Sequence, residues 1–175
     1  MVIWIIGLSG AGKTTLATRV VNRIRQSNEN VVLLDGDAIR TLFGNDVDHT
    51  VEGRRRNAER LSALSKFLAD QGVHVVAAVL SIFPEWQKWN RDNIAGYTEV
   101  YLKTSMETLF RRDTKNLYAG AKRGEIVNVV GVDIPFPEPK NPDLVIDNDL
   151  DREDFTELVD RIMSMSSVGA ALGTA

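Results

Sequence analysis

The sequence predicts an α/β domain: a parallel β-sheet with helices on both faces. Three observations carry that prediction. Short apolar, β-branched runs alternate with helix-patterned segments along most of the chain. A glycine-rich turn joins the first run to the first helix. Polar residues able to do chemistry gather just after the runs, where parallel sheets place their ligands.

The elements follow in order. Val2–Ile6 is an unbroken apolar run, long enough for one buried strand. Leu16, Ala17, Val20, Val21 and Ile24 then recur at helical spacing, predicting a helix over Thr14–Ser27. Strands are expected at Val31–Leu34, Val73–Leu80, Glu99–Leu102 and Leu144–Ile146, and helices at Arg54–Gln71, Glu85–Ala95, Ser105–Arg112 and Arg152–Met163. Asp113–Pro142 breaks the alternation. It is rich in glycine and proline and basic at its start, the mark of a functional lid or a disordered stretch. The expected organisation is one domain over residues 1–165, with a lid at about 113–142 and a frayed, flexible tail at 166–175.

The turn GLSGAGKTT matches G-x-x-x-x-G-K-[ST] in full through Gly7, Gly12, Lys13 and Thr14. Strand before and helix after are the context the motif needs, because backbone N–H groups then converge on phosphate oxygens at a helix N-terminus. Gly7, Ser9, Gly10, Ala11, Gly12, Lys13, Thr14 and Thr15 are therefore the expected ATP contacts. Lys13 would reach the β- and γ-phosphates, and the Thr14 hydroxyl would ligate Mg²⁺.

Composition narrows the remaining classes. With 175 residues, 43% hydrophobic and 26% charged, the chain has room for a full core. A net charge of −3 argues against a broad surface for polymeric nucleic acid but leaves room for a local basic pocket. The chain has no cysteine, which excludes disulfides and thiol catalysis, and only His49 and His74 offer imidazole. No apolar run approaches a membrane span of roughly 20 residues. Neither a membrane nor a signal peptide is expected, so the cytoplasm is the default location.

Arg54 and Asn57 share an arc of their helix with Ala58, Leu61, Leu64, Ser65 and Leu68, so they need partners. Arg54 either pairs with a carboxylate at the rim or faces an anionic ligand. Arg55, Arg56 and Arg60 point elsewhere and read as a solvated face. Asp37, after the second strand, serves as a helix N-cap, as a carboxylate toward a hydroxyl and Mg²⁺, or as both. Ser81 ends the third strand with no aspartate after it, which argues against a GTPase-like switch. Of the basic residues from Arg111 to Arg123, Arg112 is the expected partner of the transferred phosphoryl.

These residues resemble the adenylylsulfate kinases. The matching pieces are GLSGAGKTT, LDGDAIR (Leu34–Arg40), R-x-x-N (Arg54, Asn57), the strand-ending Ser81, RRDTKNLY, GEI and GVDIPFPEPKNPDLVID (Gly131–Asp147). The resemblance implies a P-loop kinase fold, Mg-ATP as donor, a mobile lid and a homodimer. It implies transfer of the γ-phosphoryl to the ribose 3′-hydroxyl of a small nucleotide. Asp37 would stand at that hydroxyl and share Mg²⁺ with Thr14, while Asp35, Arg40, His49, Arg54, Asn57, Ser81, Ile82 and Val129 would form the acceptor site.

The departures from the family pattern cluster at the acceptor base. His49 and Val129 stand where two phenylalanines usually clamp adenine, Ile82 replaces a proline, Gly53 an aspartate and Ala38 an asparagine. GNDVDHT, WNR and NVVGVDIPF are similar to a subgroup whose acceptor is cytidine diphosphoramidate, used in capsular-polysaccharide modification. The acceptor is thus adenosine 5′-phosphosulfate or cytidine diphosphoramidate. Outside this family stand a non-catalytic ATP-binding module and a P-loop kinase for a non-nucleotide small molecule.

Overall fold

A computed structural model describes residues 1–173. Five parallel strands, β1 (Val2–Ile6), β2 (Val31–Asp35), β3 (His74–Val79), β4 (Tyr97–Lys103) and β5 (Leu144–Asp147), form one sheet in the order β2-β3-β1-β4-β5. β1 sits at the centre with all five residues buried, Trp4 aligned with Ala77 on one side and Glu99 on the other. This explains why its sequence is an unbroken apolar run, since neither face meets water.

Helices cover both faces, as the alternation predicts. On one side α1 (Lys13–Arg25) lies against α7 (Thr156–Met163), and Ile3, Ile5, Leu16, Val20, Leu158 and Ile162 share a single core. On the other, α3 (Val51–Asp70) packs against α4 (Pro84–Asn93), over Val2, Trp4, Ile6 and Leu61.

Several boundaries depart from the sequence expectation, each for a local reason. α3 begins at Val51 rather than Arg54 because the Thr50 hydroxyl caps it, accepting the Gly53 N–H at 3.1 Å. A short helix, α2 (Gly36–Leu42), follows β2, and its N-cap is Asp35, not Asp37. Asp113–Pro142 is no structureless loop. After α5 (Met106–Arg111) it carries α6 (Leu117–Lys122), then a knot in which Val129 O accepts the N–H groups of Val132, Asp133 and Ile134.

The flexible tail is also corrected, except for residues 174 and 175, which lie outside the described residues. Ser166–Leu172 forms α8, with Val168 fully buried and the Ser167 hydroxyl 2.9 Å from that of Thr98 on β4. Its small side chains, which read as low complexity, are what let it lie close to the core.

Candidate active site

The phosphate loop leaves β1 at the centre of the sheet, and its glycines are forced by the approach of other backbone. A Cβ on Gly7 would stand 2.8 Å from the Leu102 carbonyl oxygen on β4. Gly10 and Gly12 have φ of 78° and 92°, the left-handed region that side chains disfavour. The outer rim of the loop is pinned. Asn148 Nδ2 donates to Ala11 O at 2.9 Å, and Tyr118 Oη donates to Ser9 O at 2.6 Å. Tyr118 belongs to α6, so the segment 113–142 is bonded directly to the phosphate loop.

Lys13 Nζ donates to Leu8 O at 2.8 Å across the loop. Burial pushes its ammonium down to about 8, against the opposing pull of Asp37 and Asp35. Thr14 Oγ1 donates to Asp35 Oδ2 at 2.7 Å, while Asp35 Oδ1 accepts the N–H groups of Asp37 and Ala38. With its cap already supplied by Asp35, the Asp37 carboxylate is free of that duty and faces the cavity.

That cavity, about 340 Å³, opens beyond the carboxyl ends of β2 and β3. Ser9, Lys13, Thr14, Asp35 and Asp37 line the end beside the phosphate loop, and Arg40, His49, Arg54, Asn57, Ser81, Ile82 and Val129 are among the residues that line the rest. Gly7, Gly10, Ala11, Gly12 and Thr15 lie behind it in the loop. Twelve positions scattered from Ser9 to Val129 in sequence thus meet in one cleft.

Its electrostatics suit an anion. Arg40 is buried and donates from Nη1 to Val47 O and Asp48 O at 2.9 and 2.6 Å. Arg54 donates from Nε to His49 O and from Nη2 to Asn128 O, both at 2.8 Å. Both guanidiniums are held by neutral carbonyls and paired with no carboxylate among the described residues, so the rim salt bridge is not how Arg54 is used. Burial first, then the charges of Arg40 and Arg54, hold the His49 imidazole below its ordinary value, leaving the ring neutral at pH 7. Asn57 donates to Gly36 O at 3.1 Å, and its buried Oδ1 has no protein partner, which leaves it to accept from a water or a ligand in the cleft. Ser81 has φ of 51°, and Gln87 Nε2 donates to both its carbonyl and hydroxyl oxygens at 3.1 and 3.2 Å. The Ser81 hydroxyl proton is therefore left to donate into the cleft.

Arg112, the expected partner of the transferred phosphoryl, is bonded away from the cavity. Its guanidinium is spent on Asn148 O, Leu150 O and Asp151, so it braces the loop after β5 and does not line the cavity. Lys115, three residues on, lines the cavity as an exposed cation. Arg55 and Arg60 are not simply solvated: Arg55 pairs with Glu85 and covers the Phe83 ring at 4.5 Å, and Arg60 pairs with Asp46 and covers Phe43 at 4.1 Å. The sequence reading also missed Phe83 and Trp86, aromatic walls placed in the cavity by α4. The only signal for them was their nearness to Ser81.

A parallel sheet in this strand order, a pinned phosphate loop on its central strand and a basic cleft beyond it define a P-loop kinase. Comparison with known proteins narrows the class. The family model for adenylylsulphate kinase matches residues 1–147. A cytidine diphosphoramidate kinase of Campylobacter jejuni is 38% identical, covering 93% of this chain and 94% of its own. An adenylyl-sulfate kinase of Paraburkholderia xenovorans is 37% identical, covering 93% and 90%. The structure of the Mycobacterium tuberculosis APS kinase in complex with AMPPNP and APS superposes with a TM-score of 0.79 at 34% identity, covering 93% and 94%. The chain belongs to the adenylylsulphate kinase family.

Proposed function

We propose that this protein is an ATP-dependent kinase that transfers the γ-phosphoryl of Mg-ATP to the ribose 3′-hydroxyl of a small nucleotide, and that the nucleotide is cytidine diphosphoramidate rather than adenosine 5′-phosphosulfate. The observation that carries the choice of acceptor is that His49 and Val129 face one cleft, on two walls that Arg54 ties together through His49 O and Asn128 O. Those two positions hold adenine-stacking phenylalanines in the family pattern. Here they offer a neutral imidazole and a valine, and the aromatic side chains lining the cleft are Phe83 and Trp86. One face of Phe83 is already covered by Arg55. A compact pyrimidine needs less stacking area than a purine.

In this reading Lys13 offsets charge on the β- and γ-phosphates, and catalysis is mainly positioning plus electrostatics. The donor set fits magnesium. Thr14, Asp37 and the neighbouring Asp35 are hard oxygen donors, few enough that phosphates and water complete the shell, as this cation prefers. Mg²⁺ would be held by Thr14 and Asp37 and would shield the phosphate charge. Asp37 also accepts the proton of the attacking hydroxyl. Arg40, Arg54 and the Ser81 hydroxyl bind the acceptor's anionic end, and Asn57 Oδ1 accepts from it. Lys115 takes the part at the transferred phosphoryl that was expected of Arg112. The segment 113–142 acts as a lid, and a cytoplasmic homodimer is the working form. No helix among the described residues is long and apolar enough to cross a membrane.

The test is product analysis. Incubated with Mg-ATP and cytidine diphosphoramidate, the protein should yield ADP and a nucleotide whose added phosphorus couples to the ribose H3′ in ³¹P NMR. ADP release that no nucleotide acceptor stimulates would overturn the proposal.

A further inference from the structure

The two walls of the acceptor cleft come from distant parts of the chain and have no covalent reason to keep their spacing. One is the loop carrying His49, the other the corner Asn128–Val129 of the lid segment. A single hydrogen-bonded chain joins them. Arg54 Nε takes His49 O, and its Nη2 takes Asn128 O. Asn128 in turn sits at φ of 64°, a left-handed conformation that asparagine tolerates but that something must select. The selection comes from Asp133. Its Oδ2 accepts the Asn128 N–H at 2.6 Å and its Oδ1 accepts the Val129 N–H, a bidentate grip on both peptide groups of the corner. The knot is closed from the other side, where Val129 O accepts three N–H groups and Gly131 N donates to Ile134 O at 2.8 Å. Val129 is thereby buried while still lining the cleft.

We infer that Asp133 is a positioning residue for the acceptor. It fixes the Asn128–Val129 corner, presents the Asn128 carbonyl to Arg54, and through Arg54 sets the width of the cleft between His49 and Val129. Asp133 does not itself line this cleft. Its removal frees the corner to leave the left-handed conformation, which turns Asn128 O away from Arg54 and withdraws Val129. The acceptor wall loosens while the phosphate loop, tied by Asn148 and Tyr118, stays as it was. This inference rests on the nucleotide-kinase reading above.

The experiment is a double-mutant cycle on acceptor KM, using Arg54→Ala, Asp133→Ala and the pair, with cytidine diphosphoramidate and adenosine 5′-phosphosulfate each offered under saturating Mg-ATP. Asp133→Ala should raise the acceptor KM tenfold or more, with kcat and the ATP KM within threefold of wild type. Asp133→Asn, which keeps one acceptor oxygen, should fall between. Because both residues act through one chain, the double variant should be no worse than the worse single within about twofold. Multiplicative effects, parallel rises in both KM values, or an unchanged acceptor KM would each overturn the inference. If Asp133→Ala does not fold, Asp133→Asn takes its place in the cycle. Failure of the kinase reading looks different: the wild type itself then makes no phosphorylated nucleotide. The cycle is in that case read from quenching of cleft-lining Trp86 by CMP and AMP, with the same expectations for Kd.

Discussion

Gly53 is the departure whose consequence the structure makes most specific. It lies in the first turn of α3, and a Cβ there would stand 2.3 Å from Asp48 Oδ1 and 2.5 Å from Asp48 O. Neither atom can give way freely. Asp48 O accepts from buried Arg40 at 2.6 Å, and Asp48 Oδ1 accepts the Thr50 N–H and hydroxyl at 3.1 and 2.5 Å. Gly53→Ala gains about 1 kcal/mol of helix propensity. To make room, Asp48 must retreat, at a cost of about 1.5–3 kcal/mol for the bond to a charged arginine and about 1 kcal/mol for the loop bond. The net is a loss of about 2 kcal/mol, or roughly 4–8 °C in Tm for a chain of this size. Differential scanning calorimetry of the unliganded protein at fixed concentration reads it. Since His49 follows Asp48 directly, the acceptor KM should rise as well. A Gly53→Ala variant melting at or above the wild type would refute the reasoning, because helix propensity alone would then decide the position.

Three more expectations concern the donor side. Asp37→Asn should lower kcat at least a hundredfold and weaken Mg-ATP, whose cation Asp37 would help hold, by a far smaller factor, measured by single-turnover kinetics and calorimetry. Lys13, whose ammonium is pushed down to about 8, must be charged to hold phosphate, so Mg-ATP should bind about tenfold more weakly at pH 9 than at pH 7. Stability has the opposite sign: between about pH 8 and 10.5 Lys13 holds its proton less in the unliganded fold than in the unfolded chain, so the wild type should gain stability relative to Lys13→Met over that window. Tyr97, Tyr101 and Tyr118, pushed up by burial, pull both proteins the other way toward pH 10. Lys13→Met should also abolish the trend in Mg-ATP binding. Lys115→Ala should cut kcat at unchanged Tm, whereas Arg112→Ala, stripped of its bonds to Asn148, Leu150 and Asp151, should first lower Tm.

What was legible in the sequence follows from the range over which each interaction acts. The alternation of strand and helix, the phosphate loop and the helical phase that brought Asn57 inward are local patterns, and the structure has them within a few residues. Caps were harder. Asp35 and Asp37 are both carboxylates near a helix start, and only the backbone geometry shows that Asp35 takes the N–H groups. Arg112 could not be placed because its partners, Asn148 to Asp151, lie beyond β5 and their approach depends on the whole sheet. α8 was lost for the opposite reason, its composition signalling nothing until Val168 and Ser167 meet the core and β4. In the cleft, the altered residues were visible as departures, but the tie that Arg54 makes between their two walls was not, since it depends on the backbone carbonyls of His49 and Asn128.

The central claim is that the phosphate loop serves the donor alone and that the wall carrying His49 and Val129 chooses the acceptor. The most direct measurement is kcat/KM for cytidine diphosphoramidate and adenosine 5′-phosphosulfate side by side under saturating Mg-ATP, for the wild type and for the His49→Phe, Val129→Phe double variant. The wild type should favour the cytidine substrate by tenfold or more, about 1.4 kcal/mol of transition-state preference, and the double variant should shift toward the adenosine substrate. A wild type that favours adenosine 5′-phosphosulfate by tenfold or more, or a double variant that shifts nothing, would contradict it.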